Sequence, residues 1–108
     1  MGDTLEVNIS SISPYVDDFE ITRSAGDKIK FITGANAAAG ISIPKASDFL
    51  EDPKTSVYDE FYIPANSEKL LTVKEGAITG TYYYHVFMVA QTDFADQTGS
   101  SAPKIVIE

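Results

Sequence analysis

The chain has 108 residues, enough for one domain over 1–108 and too few for two of ordinary size. Hydrophobic residues are 44% and charged residues 22%, near the globular average, so wholesale disorder and low-complexity classes are excluded. Zero cysteines remove disulfides, thiolate catalysis, zinc–cysteine sites and iron–sulfur ligation, and one histidine leaves little for an imidazole-rich metal site. Sixteen acidic residues against 8 basic ones give a net charge of −8, which repels nucleic-acid phosphates and anionic lipid. No nucleic-acid partner is expected.

No window reaches the roughly 18 apolar residues of a membrane span, so no membrane insertion is expected. The start, Met1-Gly2-Asp3-Thr4-Leu5-Glu6, has neither the basic nor the apolar part of a signal peptide, which fits a cytosolic chain or a mature extracellular or periplasmic domain. Asn8-Ile9-Ser10 matches a glycosylation acceptor but lies inside an alternating strand pattern, where chance is the better explanation.

Along the chain the dominant period is two. Leu5, Val7 and Ile9 alternate with Glu6, Asn8 and Ser10, as a half-buried strand requires. Phe19-Glu20-Ile21-Thr22 alternates again, Ser24-Ala25-Gly26-Asp27 supplies turn residues, and Lys28 to Thr33 places Ile29 and Phe31 on one face; together these predict a hairpin. Gly34 to Gly40 is small and loose, and Ile41-Ser42-Ile43-Pro44 forms a short strand closed by proline. Ser47 to Asp52 opens with a capping residue and early acids, predicting one short helical turn stopped by Pro53. Phe61 and Ile63 alternate with Glu60 and Tyr62, Pro64-Ala65-Asn66-Ser67 turns, and Leu71-Thr72-Val73 follows, predicting a second hairpin. Gly76 and Gly80 bracket a turn before the longest strand, Thr81 to Ala90, and Ile105-Val106-Ile107 closes the chain. Seven to eight short strands with closely spaced turns and no long helix indicate an all-β sandwich or barrel.

Four segments, in this order, resemble the cupredoxin family of plastocyanin-like blue-copper proteins. Ala25 to Phe31 looks like its Gly-Asp turn entering an apolar strand, and Ile63 to Glu68 like its proline turn. Gly80-Thr81-Tyr82-Tyr83-Tyr84 looks like the strand leading to the copper cysteine, and Pro103 to Ile107 like the closing strand. The resemblance implies an antiparallel Greek-key β-sandwich with a connecting-loop helical turn. By its spacing the copper cysteine falls on Val86, the second histidine on about Val89, the axial methionine near Phe94 and the first histidine near Gly40. Blue copper needs imidazoles, a thiolate and a weak axial ligand. The residues at those positions supply none, so the resemblance implies the scaffold without the metal, the cofactor or electron transfer.

Two candidate features remain. In the Thr81 to Ala90 run, Tyr82, Tyr84, Val86 and Met88 point one way and Tyr83, His85 and Phe87 the other. The first set is expected as core. The second is either shielded by the Gly34 to Pro53 connection or forms a binding face, because aromatic rings with polar tips suit protein interfaces and stack on sugars. His85 is expected as a sheet-face histidine rather than a general base or weak ligand. A copper set including His85 and Met88 is opposed by their alternation, which sends them to opposite faces. The acids at Asp17-Asp18, Asp48, Glu51, Asp52, Asp59-Glu60, Asp93 and Asp96 lack a calcium-loop spacing, no glycosidase pair is defined, and there is no nucleophile elbow or phosphate loop. The expectation is a non-enzymatic binding or structural module contacting a protein partner or its own copies. A non-standard copper protein and a carbohydrate-binding sandwich are the alternatives.

Overall fold

The computed structural model describes residues 2–52, 57–95 and 102–108. Among these described residues, eleven strand segments and one 3-10 turn succeed one another: β1 (Thr4–Ile9), β2 (Glu20–Arg23), β3 (Lys28–Thr33), β4 (Ala39–Ser42), the turn Ala46–Asp48, β5 (Leu50–Glu51), β6 (Glu60–Ile63), β7 (Glu68–Val73), β8 (Gly80–Tyr83), β9 (His85–Met88), β10 (Asp93–Phe94) and β11 (Lys104–Ile107). The period of two predicted by the sequence is met in burial. Val7 and Ile9, Ile29 and Phe31, Ile41, Ile63, Leu71 and Val73, Val86 and Met88, and Ile105 and Ile107 all point into one core.

Hydrogen bonding forms the ladders β1-β3-β7-β5, β10-β9-β4-β6 and β2-β11-β8. The last two meet end to end at Tyr84, between β8 and β9, whose N–H donates to the Pro103 carbonyl at 3.0 Å. Phe31, from the first ladder, packs its ring 6.3 Å from Phe61 of β6 and 5.8 Å from Tyr84, so the layers face each other across this aromatic centre. Six of the eight strand pairings are antiparallel; β1 runs parallel to β3, and β11 to β2.

Neither expected hairpin forms. β2 pairs with β11 rather than β3, and β6 pairs with β4 rather than β7. Each turn instead hands the chain from one ladder to another, and both brace the antiparallel β3–β7 pair. At one end Gly26 N–H donates to Val73 O and Val73 N–H to Asp27 O, both at 2.8 Å. At the other, Thr33 N–H donates to Ser67 O at 2.8 Å and Asn66 N–H to Gly34 O at 3.1 Å. Gly26 has φ 88°, a left-handed corner at which a glycine carries no steric cost.

The helical candidate is also shorter than expected. Its turn covers only Ala46–Asp48, because Phe49 stacks on Tyr82 at 3.9 Å and Leu50 and Glu51 join the edge of β7. The expected stop, Pro53, and the acidic Asp96 lie outside the described residues. Thr81 to Ala90 is not one strand: it changes partners at Tyr84, from β11 to β4. Asn8, in the apparent glycosylation triplet, is tied by its backbone N–H and its Nδ2 to the two Asp17 carboxylate oxygens, each at 2.9 Å.

Candidate functional site

The outer face of β10-β9-β4-β6 carries two rows of side chains fixed by register. Phe94 lies opposite Phe87, Phe87 opposite Gly40, and Gly40 opposite Tyr62. In the next row His85 lies opposite Ser42, and Ser42 opposite Glu60. Directly paired antiparallel residues share a face, so aromatic rings stand on both sides of a strand that presents only hydrogen at Gly40. An added Cβ at Gly40 would meet nothing within 4 Å. The result is an open groove of about 460 Å³ on the outer face.

Phe94 closes one end. Its ring centroid is 5.0 Å from Phe87 and 6.4 Å from His85, edge-on in both cases, while 51% of its surface stays exposed. Tyr62, 60% exposed, stands at the other end. Beyond Glu60 the surface continues into a second hollow lined by Ser42, Pro44, Tyr58, Asp59 and Glu60. Asp59 is a structural acid: its carboxylate accepts the N–H groups of Lys45 at 3.2 Å and Ala46 at 3.1 Å and thereby sets the 3-10 turn. Glu60 makes no side-chain hydrogen bond or ion pair among the described residues.

The structure therefore brings His85 and Phe87 into one groove and sets Tyr83 apart. Tyr83 belongs to β8, where Lys104 is its register partner, and it lines a different hollow of about 410 Å³ with Asp17, Asp18, Phe19, Glu20, Ala102 and Lys104. There Lys104 Nζ sits 3.0 Å from Glu20 Oε1 and 5.9 Å from the Tyr83 ring; the Glu20 hydrogen bond, aided by its charge, raises the lysine's pKa. One reading of the sequence expected the Gly34 to Pro53 connection to shield the outer face; its β4 segment instead pairs beside β9 within the same sheet.

Sequence reasoning missed Gly40, Ser42, Glu60, Tyr62 and Phe94 as companions of His85 and Phe87. The alternation around Phe61 already pointed Tyr62 and Glu60 outward. Only long-range pairing places them beside β9.

No family model and no curated protein matches the sequence. Solved structures do match: two Cu(I) forms of amicyanin variants, at 16% and 17% identity with TM-scores of 0.58 and 0.55, each cover 97% of this chain and 82% of theirs. A reduced amicyanin variant matches at 16% identity, TM-score 0.57 and the same coverage. The chain thus has a cupredoxin-like β-sandwich fold, and at this identity the likeness speaks to the fold alone.

At the positions where the sequence resemblance expects copper ligands, the side chains present offer no thiolate or imidazole. Val86 is fully buried and apolar, Gly40 has no side chain, Val89 and Phe94 offer no donor, and the chain has no cysteine. Met88 is buried in the core while His85 is exposed on the opposite side of β9, so the two cannot share an ion. Among the described residues no three His, Cys, Asp or Glu side chains converge, and no helix is long and apolar enough to cross a membrane.

Proposed function

We propose that this cupredoxin-like domain is a metal-free, non-enzymatic binding module that receives a protein partner in the outer groove between Phe87 and Tyr62. The observation that carries the proposal is the groove's construction: aromatic walls, a glycine floor and a polar row of His85, Ser42 and Glu60, built on four strands rather than on mobile loops. The absence of thiolate from the sequence supports binding over blue-copper electron transfer. On the resemblance to cupredoxins, we assign the domain to the extracellular or periplasmic space, an assignment that cell fractionation tests.

Gly40→Val is the discriminating variant, because its Cβ would meet no atom within 4 Å, its methyl groups would occupy the floor, and a β-branched side chain suits a strand. Panning a random peptide library should enrich sequences on the natural chain that the Gly40→Val chain no longer binds. Enrichment on neither chain, or of the same peptides on both, would reject the groove as the binding site. Sedimentation over a range of concentrations identifies a second copy as the occupant if self-association occurs and Gly40→Val removes it. Copper addition should give neither stoichiometric metal nor strong visible absorption; either one would reject the metal-free reading.

A further inference from the structure

Elsewhere in the molecule lysine side chains already settle where an aromatic ring and a carboxylate occur together. Lys69 Nζ lies 5.8 Å from the Phe61 ring and is ion-paired with Asp52, and Lys104 Nζ lies 5.9 Å from the Tyr83 ring and 3.0 Å from Glu20. A ring face carries the negative part of the aromatic quadrupole, so a nearby carboxylate and ring attract the same cation. The groove repeats this pairing without its cation: Phe87 and Tyr62 flank Gly40, Glu60 stands in the adjacent row, and no lysine or arginine among the described residues reaches them.

Resting on the binding-module reading, we propose that the groove's occupant is an arginine-bearing basic segment of a partner protein, with one guanidinium seated over Gly40 between Phe87 and Tyr62 and ion-paired to Glu60. Three features select arginine. Phe87 and Tyr62 are two strand spacings apart, about 10 Å between backbones, which leaves a slot suited to a flat cation rather than a bulky one. A guanidinium stacks on rings through its planar face while its N–H groups remain free to pair with a carboxylate, which a compact ammonium cannot do equally well. The net charge of −8 attracts a basic chain from a distance and disfavours an acidic one. The hollow beyond Glu60, with Tyr58 67% exposed, extends the groove so that a neighbouring residue of the same peptide can follow. A sugar also stacks on aromatic rings, but being neutral it would gain nothing from the Glu60 charge or from the net charge of −8.

The probe is a fluorescein-labelled, end-blocked hexa-arginine peptide titrated with the whole chain, followed by fluorescence polarisation. Glu60→Gln and Phe87→Ala should each weaken binding by at least about fivefold, the worth of one charged or cation–aromatic contact. Glu6→Gln removes an exposed acid on β1, in the other layer, and should leave the affinity within about twofold. Circular dichroism and urea midpoints close to those of the natural chain qualify each variant. Three results overturn the proposal: no hexa-arginine binding, equal losses for Glu6→Gln and Glu60→Gln, or tighter binding of a neutral oligosaccharide that Phe87→Ala abolishes. If hexa-arginine fails while panning yields neutral peptides sensitive to Gly40→Val, the arginine occupant falls and the binding module stands. If Gly40→Val affects no peptide, the module reading falls with it.

Discussion

Tyr84 carries a hydroxyl into the core with nothing to receive it. The residue is 0% exposed, its ring packs edge-on against Phe31, and the oxygen has no hydrogen-bond partner among the described residues. A buried unsatisfied hydroxyl costs about 1–3 kcal/mol, so Tyr84→Phe should stabilise the chain by about 1 kcal/mol in urea unfolding at neutral pH. Burial, with smaller contributions from the Asp18 and Asp17 charges, pushes the phenol far above its ordinary value of 10.0. The folded chain therefore keeps the proton that the unfolded chain releases above about pH 10, and stability falls by roughly 1.4 kcal/mol per pH unit there. Tyr84→Phe lacks that loss, so its advantage should widen above pH 10; a constant difference would contradict the buried, unpartnered phenol. Asp27 has the opposite sign. Its carboxylate accepts the Ser24 N–H at 2.9 Å and the Asp3 N–H at 3.3 Å beside Arg23, and these contacts, the Ser24 bond foremost, lower its pKa from 3.8. The stabilisation is present above the ordinary value and disappears as pH falls through the lowered one. Asp27→Asn should lower the urea midpoint at pH 7, and its gap from the natural chain should close below about pH 4.

At the scale of elements, the turns show which structural information is local. Ser24 to Asp27 and Pro64 to Ser67 have hairpin-like chemistry, and both do turn the chain. Their composition does not say which strand the next one joins, because that choice follows from burying both apolar faces against distant segments. Thr33 ties the second corner down: its hydroxyl donates to the Pro64 carbonyl at 2.5 Å and accepts the Ser67 N–H at 2.9 Å. Thr33→Val keeps the shape and leaves both groups unpaired at a site 3% exposed, so urea unfolding should record a loss of about 2 kcal/mol. No measurable loss would mean that the corner is held by its backbone bonds alone. The same division applies to the groove. Alternation within Thr81 to Ala90 made the outward side of His85 and Phe87 legible, yet not the switch of partners at Tyr84 that separates Tyr83 from them. Gly40 read as part of a loose small-residue stretch because its significance lies in its neighbours across the ladder, Phe87 and Tyr62.

For the whole molecule, the charge of −8 acts over a body with a radius of gyration of 13.0 Å. The Debye length is about 30 Å at 0.01 M salt and about 3 Å at 1 M, so carboxylates on opposite layers repel one another in the first condition and not in the second. Ion pairs oppose this trend, since salt screens them too. Two of them have glutamates 60% and 58% exposed, Lys30–Glu68 at 3.5 Å and Lys104–Glu20 at 3.0 Å, and exposed pairs of this kind contribute only about 0–1 kcal/mol. Relief of self-repulsion should dominate. Raising sodium chloride from 0.01 to 1 M should therefore stabilise the fold by about 1 kcal/mol, or a rise in Tm of roughly 5 °C. Hexa-arginine binding draws on the same negative charge and should weaken over the same range, giving the two measurements opposite signs. A falling Tm would mean that native ion pairs outweigh repulsion. Salt-insensitive peptide binding would mean that the groove grips its ligand through the aromatic walls without help from Glu60 or the acidic surface.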